Sequence, residues 1–269
     1  MFKYFHFTIL IILIFYLSIL LFMFFFQRTF MYHPKVKTLD SPPIKFKYKE
    51  VYIPSEKNIK LKSWFSFSPL NKKTILFFHG NAGDLNARIY KLNKLSNLDV
   101  NFLIISWRGF SGNNGKPTEK GLYQDAKKAV EWLQTNGIKK KNIVLYGESL
   151  GTGIAIELAS KDRFSGVILE SPYTSMVDMG KRFYPFVPVS LLQRDRYNSL
   201  KKIKKINSPI LVLHGKADTL VPFYMGKKIY ENANEPKYSY FPTFDNHMMA
   251  YDQDMVNTLK SFLDLSAKR

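Results

Sequence analysis

The chain has 269 residues, with 40 Lys and Arg against 21 Asp and Glu, a formal net charge of +19, 46% hydrophobic and 16% aromatic residues, and no cysteine. The lack of cysteine excludes a disulfide scaffold, a thiolate zinc site and a cysteine nucleophile, and the apolar and aromatic content excludes a chain that stays unfolded. Of the 40 basic residues 32 are Lys and 8 are Arg; base readers and phosphate clamps lean on Arg, so the charge reads as a solvated Lys-rich surface and nucleic acid is not expected as a partner.

In chain order, the first feature is the run from Phe5 to Phe26, 22 residues without a formally charged side chain. As a helix it spans ~33 Å, enough to cross a hydrocarbon core of ~30 Å. A cleaved signal peptide has a shorter apolar region followed by a small-x-small site, whereas this run ends in Phe24-Phe25-Phe26-Gln27-Arg28. Residues 1–28 are therefore predicted to be an uncleaved single-pass anchor, 29–45 a linker through Ser41-Pro42-Pro43, and 46–269 the globular domain. Lys3 flanks one end of the run and Arg28, Lys35 and Lys37 the other. Counting these charges weakly favours a cytosolic domain, but long domains partly escape that rule and the side of the membrane stays open.

Two alternating runs, Phe46 to Ile53 and Ile59 to Phe67, flank the turn-like Pro54-Ser55-Glu56-Lys57-Asn58 and predict an antiparallel pair. Short runs that are apolar at every position follow: Thr74 to Phe78, Val100 to Ile105, Ile143 to Tyr146, Gly166 to Leu169 and Ile210 to Leu213. They alternate with helical stretches at Asp84 to Leu95, Thr118 to Thr135, Leu150 to Ser160, Val221 to Asn232 and Asp252 to Leu265, and Tyr238 to Phe241 adds a last strand. Strands apolar on both faces must be covered on both faces, which predicts an α/β fold with a mostly parallel sheet flanked by helices. The stretch 172–207 fits neither period. Its Phe183, Tyr184, Phe186 and Val187 stand among Lys181, Arg182, Arg194 and Arg196, which suits a lid or a membrane-facing patch as well as an ordinary helical excursion on the sheet.

The sharpest chemical signal is Gly147-Glu148-Ser149-Leu150-Gly151, directly between a strand and a helix. A G-x-S-x-G in that place is a nucleophile elbow, a strained turn that projects the serine hydroxyl above the sheet. Serine is a weak nucleophile at neutral pH and needs a base and an orienting carboxylate. Of the five histidines, His6 lies in the apolar run, His33 precedes the domain, and His79 and His214 end strands. His247, in the loop before the last helix, is left as the base. The carboxylate is Asp218, just past a strand in His214-Gly215-Lys216-Ala217-Asp218, with Asp245 as a competitor that lies awkwardly close to His247 in the chain. The turn His79-Gly80-Asn81-Ala82-Gly83 supplies the remaining element. Acyl transfer passes through an oxyanion that two backbone N–H groups stabilise, and those of Asn81 and Leu150 are the candidates.

With Arg108-Gly109-Phe110-Ser111-Gly112, Gly115-Lys116-Pro117 and Glu170-Ser171-Pro172-Tyr173-Thr174 added to these motifs, the chain from about Lys35 onward resembles the α/β-hydrolase superfamily. The resemblance is to N-terminally membrane-anchored α/β-hydrolase-domain proteins related to serine aminopeptidase and monoacylglycerol-lipase-like enzymes. It implies an eight-stranded sheet and cofactor-free, metal-free hydrolysis of esters, thioesters or amides. Two motifs depart from the family pattern: Ser106-Trp107-Arg108-Gly109 stands for Asp-Tyr-Arg-Gly, and Asp245-Asn246-His247 for a glycine-rich turn before histidine.

The expected function is a membrane-anchored serine hydrolase acting on carboxylic esters or thioesters, with lipids or acyl-proteins as substrate classes. A serine aminopeptidase-like peptidase and a non-catalytic binding protein on the same fold are the alternatives. Residues 1–28 hold Lys3 and Arg28 and no acid, so 38 basic residues less 21 acidic ones leave +17 on the domain. Tethered near a bilayer, that charge favours anionic headgroups at ~1 kcal/mol per nearby basic residue.

Overall fold

The computed structural model describes residues 2–34, 42–56, 58–68 and 73–266. The middle of the expected linker with Lys35 and Lys37, the turn residue Lys57 and the last three residues lie outside the described residues. Helix α1 (Phe2–Met31) carries the apolar run and ends three residues beyond the expected boundary. By length and composition it can cross a membrane: the mean hydropathy of its most apolar window is 3.1, and that window is not buried against the protein.

Eight strands form one sheet: β1 (Lys49–Pro54), β2 (Lys60–Ser66), β3 (Thr74–Phe78), β4 (Asn101–Ile105), β5 (Ile143–Glu148), β6 (Gly166–Glu170), β7 (Ile210–Leu213) and β8 (Lys237–Tyr240). Their order is β1-β2-β4-β3-β5-β6-β7-β8. β2 is antiparallel to both its neighbours, and from β4 to β8 every pair is parallel. The first strand starts at Lys49 rather than Phe46, whose ring instead packs edge-on against Phe102 at 5.0 Å.

Helices α2 (Ile89–Leu95), α3 (Glu119–Thr135), α4 (Leu150–Ala159), α8 (Phe223–Asn232) and α9 (Gln253–Leu265) cover the two faces of this sheet. The continuous apolar runs divide by alternation. Leu76, Phe78, Leu103, Leu145 and Leu169 join the core that includes α3, α4 and α8 residues. Ile75, Phe77, Ile104, Val144 and Ile168 join the core that includes α2 and α9 residues. Each such side chain contributes ~1.5–3 kcal/mol by leaving water, so a strand read as uniformly apolar is held from both sides.

Local signals set the helix starts. Thr118 Oγ1 accepts from Gly121 N at 2.9 Å and Asp252 Oδ1 from Met255 N at 2.9 Å, satisfying N–H groups that a first turn leaves open. The expected helix from Asp84 opens instead with a 3₁₀ turn, Leu85–Arg88, capped by Asp84. Segment 172–207 folds into α5 (Met176–Phe183), α6 (Val189–Leu192) and α7 (Ser199–Ile203). It adds no strand, and its first part lies over the sheet end where Ser149 sits.

Candidate active site

Ser149 follows β5 with φ 50° and ψ −114°, outside the ordinary wells of an L-residue, a strain of ~1–3 kcal/mol that neighbouring contacts must hold. Ser149 N donates to Glu170 O at 2.8 Å, and Thr152 Oγ1 donates to Ser149 O at 2.6 Å. The turn is so tight that a Cβ on Gly151 would stand 2.0 Å from Phe78 O, which is why a glycine occupies that place.

The loops after β7 and β8 bring the other two residues in. His247 Nε2 lies 3.0 Å from Ser149 Oγ, and His247 Nδ1 lies 2.7 Å from Asp218 Oδ2. The nitrogen facing the carboxylate carries the proton, which leaves Nε2 a lone pair for the serine hydroxyl. Asp218 is fully buried at its side chain. Burial opposes its charge, but hydrogen bonds from His214 and His247 hold it well below the usual carboxylate range. Its other oxygen accepts from Leu220 N at 2.9 Å and Val221 N at 2.8 Å. A serine hydroxyl beside such a histidine can be deprotonated as it attacks, and the imidazolium that forms faces a fixed negative charge.

Asp245 does not compete for the imidazole: its Oδ2 accepts from Ala250 N at 2.8 Å. The missing glycines of the histidine loop have a counterpart across the gap. A Cβ on Gly215 would stand 2.1 Å from Asp245 O, and Ala217 N donates to that oxygen at 3.1 Å. The loop thus packs its backbone onto the β7 loop, and Ser171 Oγ ties down His247 O at 3.0 Å.

Asn81 lies with Ser149 on one cavity wall, and Leu150 opens α4. Among the described residues neither N–H has a hydrogen-bond partner in the protein, while Asn81 Nδ2 donates to Met31 O at 3.0 Å and Asn81 O accepts from His33 N at 2.8 Å. His33 is thus paired with the Asn81 turn and does not merely precede the domain.

Several residues support the site in ways that their place in the sequence does not announce, even where they stand inside its motifs. His214 Nε2 lies 2.9 Å from Val221 O and 3.2 Å from Asp218 Oδ2, bracing the carboxylate. Beneath the elbow, Glu148 pairs with Arg88 at 2.6 Å and Lys91 at 2.7 Å, and Lys91 also pairs with Glu170 at 2.5 Å. Glu148 Oε1 accepts from Gly80 N at 3.1 Å, so the buried charges hold the Asn81 turn against the elbow. Burial opposes the charges of Lys91 and Glu148; their partners win, raising Lys91 and lowering Glu148 from their ordinary values. A lysine on the inner face of α2 breaks helical periodicity, and only the Glu at the variable place of G-x-S-x-G hints at a cation nearby.

His79 is buried, its Nδ1 2.8 Å from Gly80 O and Trp107 Nε1 3.0 Å from its carbonyl. Burial, reinforced by Arg88, pushes its pKa down to about 3 from 6.5. The unfolded chain therefore binds a proton that the folded one refuses, and stability falls as pH drops from about 6.5 toward 3. This residue alone is expected to remove about 2 kcal/mol between pH 7 and pH 5, a window above the titration of Asp218 and Glu148. Denaturant unfolding at the two pH values measures it. The His79→Asn variant, which keeps an N–H for Gly80 O, is expected to flatten the difference, and equal losses in both proteins would refute the assignment.

A cavity of about 160 Å³ reaches Ser149, walled by Tyr173, Met176, Met179 and Val187 of the covering segment and by Met23 and Phe24 of α1. No acidic or basic side chain stands among its described lining residues.

A strained serine turn at the carboxyl end of a mostly parallel sheet, with His and Asp following later strands, is the arrangement of the α/β-hydrolase class. The family model for the alpha/beta hydrolase fold matches residues 73–198. Rv2307c of Mycobacterium tuberculosis is 33% identical over 70% of this chain and 68% of that protein. Alpha/beta hydrolase domain-containing protein 17B of Homo sapiens is 35% identical over 63% of this chain and 58% of that protein. Among solved structures, Pyrococcus furiosus esterase Pf2001 superposes with a TM-score of 0.71 at 25% identity, over 87% of this chain and 98% of that one. This chain belongs to the α/β-hydrolase family.

Proposed function

We propose that the chain is a membrane-anchored serine hydrolase that cleaves carboxylic esters or thioesters through an acyl-enzyme. Ser149 Oγ attacks the acyl carbon and its proton passes to His247 Nε2, while Asp218 holds Nδ1–H and balances the imidazolium charge. The carbonyl oxygen becomes an oxyanion facing the N–H groups of Asn81 and Leu150; losing one such donor costs ~10²-fold or more in rate. On collapse the bond to the leaving oxygen or sulfur breaks and His247 returns its proton to that atom. Water then repeats the sequence on the acyl-serine, again with His247 as base.

The unbroken hydrogen-bonded path Ser149–His247–Asp218 at 3.0 and 2.7 Å carries this reading. The absence of any charged side chain among the described cavity-lining residues favours an acyl chain over the ammonium of an aminopeptidase substrate. Helix α1 supplies the anchor, and the basic side chains of the covering segment suit an anionic lipid surface. The test is a fluorophosphonate probe on the full chain: the reading requires one labelled residue, Ser149, and protection by an ester substrate. Absence of labelling, or a label on another residue, would refute it.

A further inference from the structure

Helix α1 is fastened to the domain by polar contacts that a simple tether does not need. Arg28 makes a two-pronged pair with Asp195, Nε to Oδ2 at 2.8 Å and Nη2 to Oδ1 at 3.2 Å, and Tyr32 Oη donates to the same carboxylate at 3.2 Å. Gln27 joins both ways, donating to Leu192 O at 3.2 Å and accepting from Arg194 N at 2.7 Å. Higher up, Tyr16 Oη donates to Phe186 O at 2.7 Å. The bond from Asn81 Nδ2 to Met31 O then links the end of α1 to the turn beside Ser149.

The face of α1 fixed by these contacts also walls the cavity. Met23, Phe24, Gln27, Phe30 and Met31 line it, and their spacing is that of one helical stripe. Beyond the mouth the covering segment turns apolar residues outward: Phe186 is 87% exposed and Leu191 83%. Tyr16, which meets Phe186, is 15 residues before Met31, or ~22 Å along the helix. A bilayer crossed by α1 would therefore surround the tip of the covering segment, and the exposed Phe186 ring beside Tyr16 would enter lipid instead of water.

We propose that α1 is a wall of the acyl site, and that the substrate is a long acyl ester or thioester resident in the bilayer whose chain enters sideways between α1 and the segment Phe183–Leu192. This rests on the serine hydrolase reading and adds to it the source and path of the substrate. The anchor then selects substrates as well as locating the enzyme: chains longer than the space near Ser149 must lie along Met23 and Phe24.

The test uses the full chain in phosphatidylcholine vesicles, with p-nitrophenyl palmitate in the bilayer and p-nitrophenyl acetate in the water. In Met23→Trp the added bulk fills the cavity wall. Because one methylene of pocket space changes rates by roughly 10- to 200-fold, the palmitate-to-acetate ratio of kcat/KM is expected to fall by at least about tenfold. Ile12→Trp, on an exposed lipid-facing position outside the cavity, is expected to leave the ratio unchanged. Acetate hydrolysis that is lost in Ser149→Ala shows that the serine mechanism holds. If that control holds and Met23→Trp keeps the parental ratio, or if Ile12→Trp lowers it equally, the α1 wall is overturned. If no hydrolysis depends on Ser149, the serine hydrolase reading fails and the inference with it. Sideways entry further requires the palmitate rate to follow its mole fraction in the vesicle at constant bulk concentration; a rate that follows bulk concentration alone overturns that path.

Discussion

Replacing Ser149 with Ala is expected to lower kcat toward a short acyl ester by about 10⁶-fold, with a melting temperature close to that of the parent. The hydroxyl is the attacking atom in the proposed mechanism, and no other serine or threonine stands among the described residues that line the cavity. Its contribution to folding is small by comparison: its hydrogen bond to His247 is 3.0 Å long and partly buried, and such a bond is worth ~1 kcal/mol net. Alanine keeps the strained backbone at φ 50°, so neither the elbow nor α4 need move. Rate assays on the full-length variant together with thermal melts separate the two effects. A variant within about tenfold of parental activity would remove Ser149 from the reaction.

The second large effect is on stability. Lys91→Met is expected to cost about 3–5 kcal/mol, because among the described residues it leaves buried Glu170 with no cation beside it and Glu148 with Arg88 alone. For a domain of this size that corresponds to a melting temperature on the order of 10 °C lower. The contrasting substitution is Lys127→Met, whose side chain is 68% exposed and stands 4.0 Å from Glu131; an exposed pair of that kind contributes at most about 1 kcal/mol. Melts of the two variants under one set of conditions decide the matter, and equal shifts would show that the buried network contributes no more than a surface pair. Since Glu148 also accepts from Gly80 N, the Lys91 variant is further expected to lose activity through a loosened Asn81 turn.

Much of the fold was legible because its signals are short-range. Thr74 to Phe78 and Ile143 to Tyr146 are apolar at every position, and the structure buries both runs on both faces. The elbow is readable because crowding around Ser149 admits glycine where Phe78 O approaches. His247 emerged by elimination among five histidines, and the structure sets it 3.0 Å from Ser149. The choice between Asp218 and Asp245 was harder. Both are near His247 in one sense or another, and it took the backbone approach at Gly215 to direct Asp245 toward Ala250 N and leave Nδ1 to Asp218.

Residue order and local sterics thus established an apolar helix able to span a bilayer, an α/β sheet, and a serine, an aspartate and a histidine each at the end of a different strand. Those properties follow from periodicity over a few residues and from which side chains a tight turn permits. The pairing of Lys91 with Glu148 and Glu170, the bracing of Asp218 by His214, and the docking of α1 through Arg28 on Asp195 were decided only by the folded chain. Their partners are up to 167 residues apart. The energy of a buried charge pair depends on what surrounds it once water has left, which no local pattern of residues encodes.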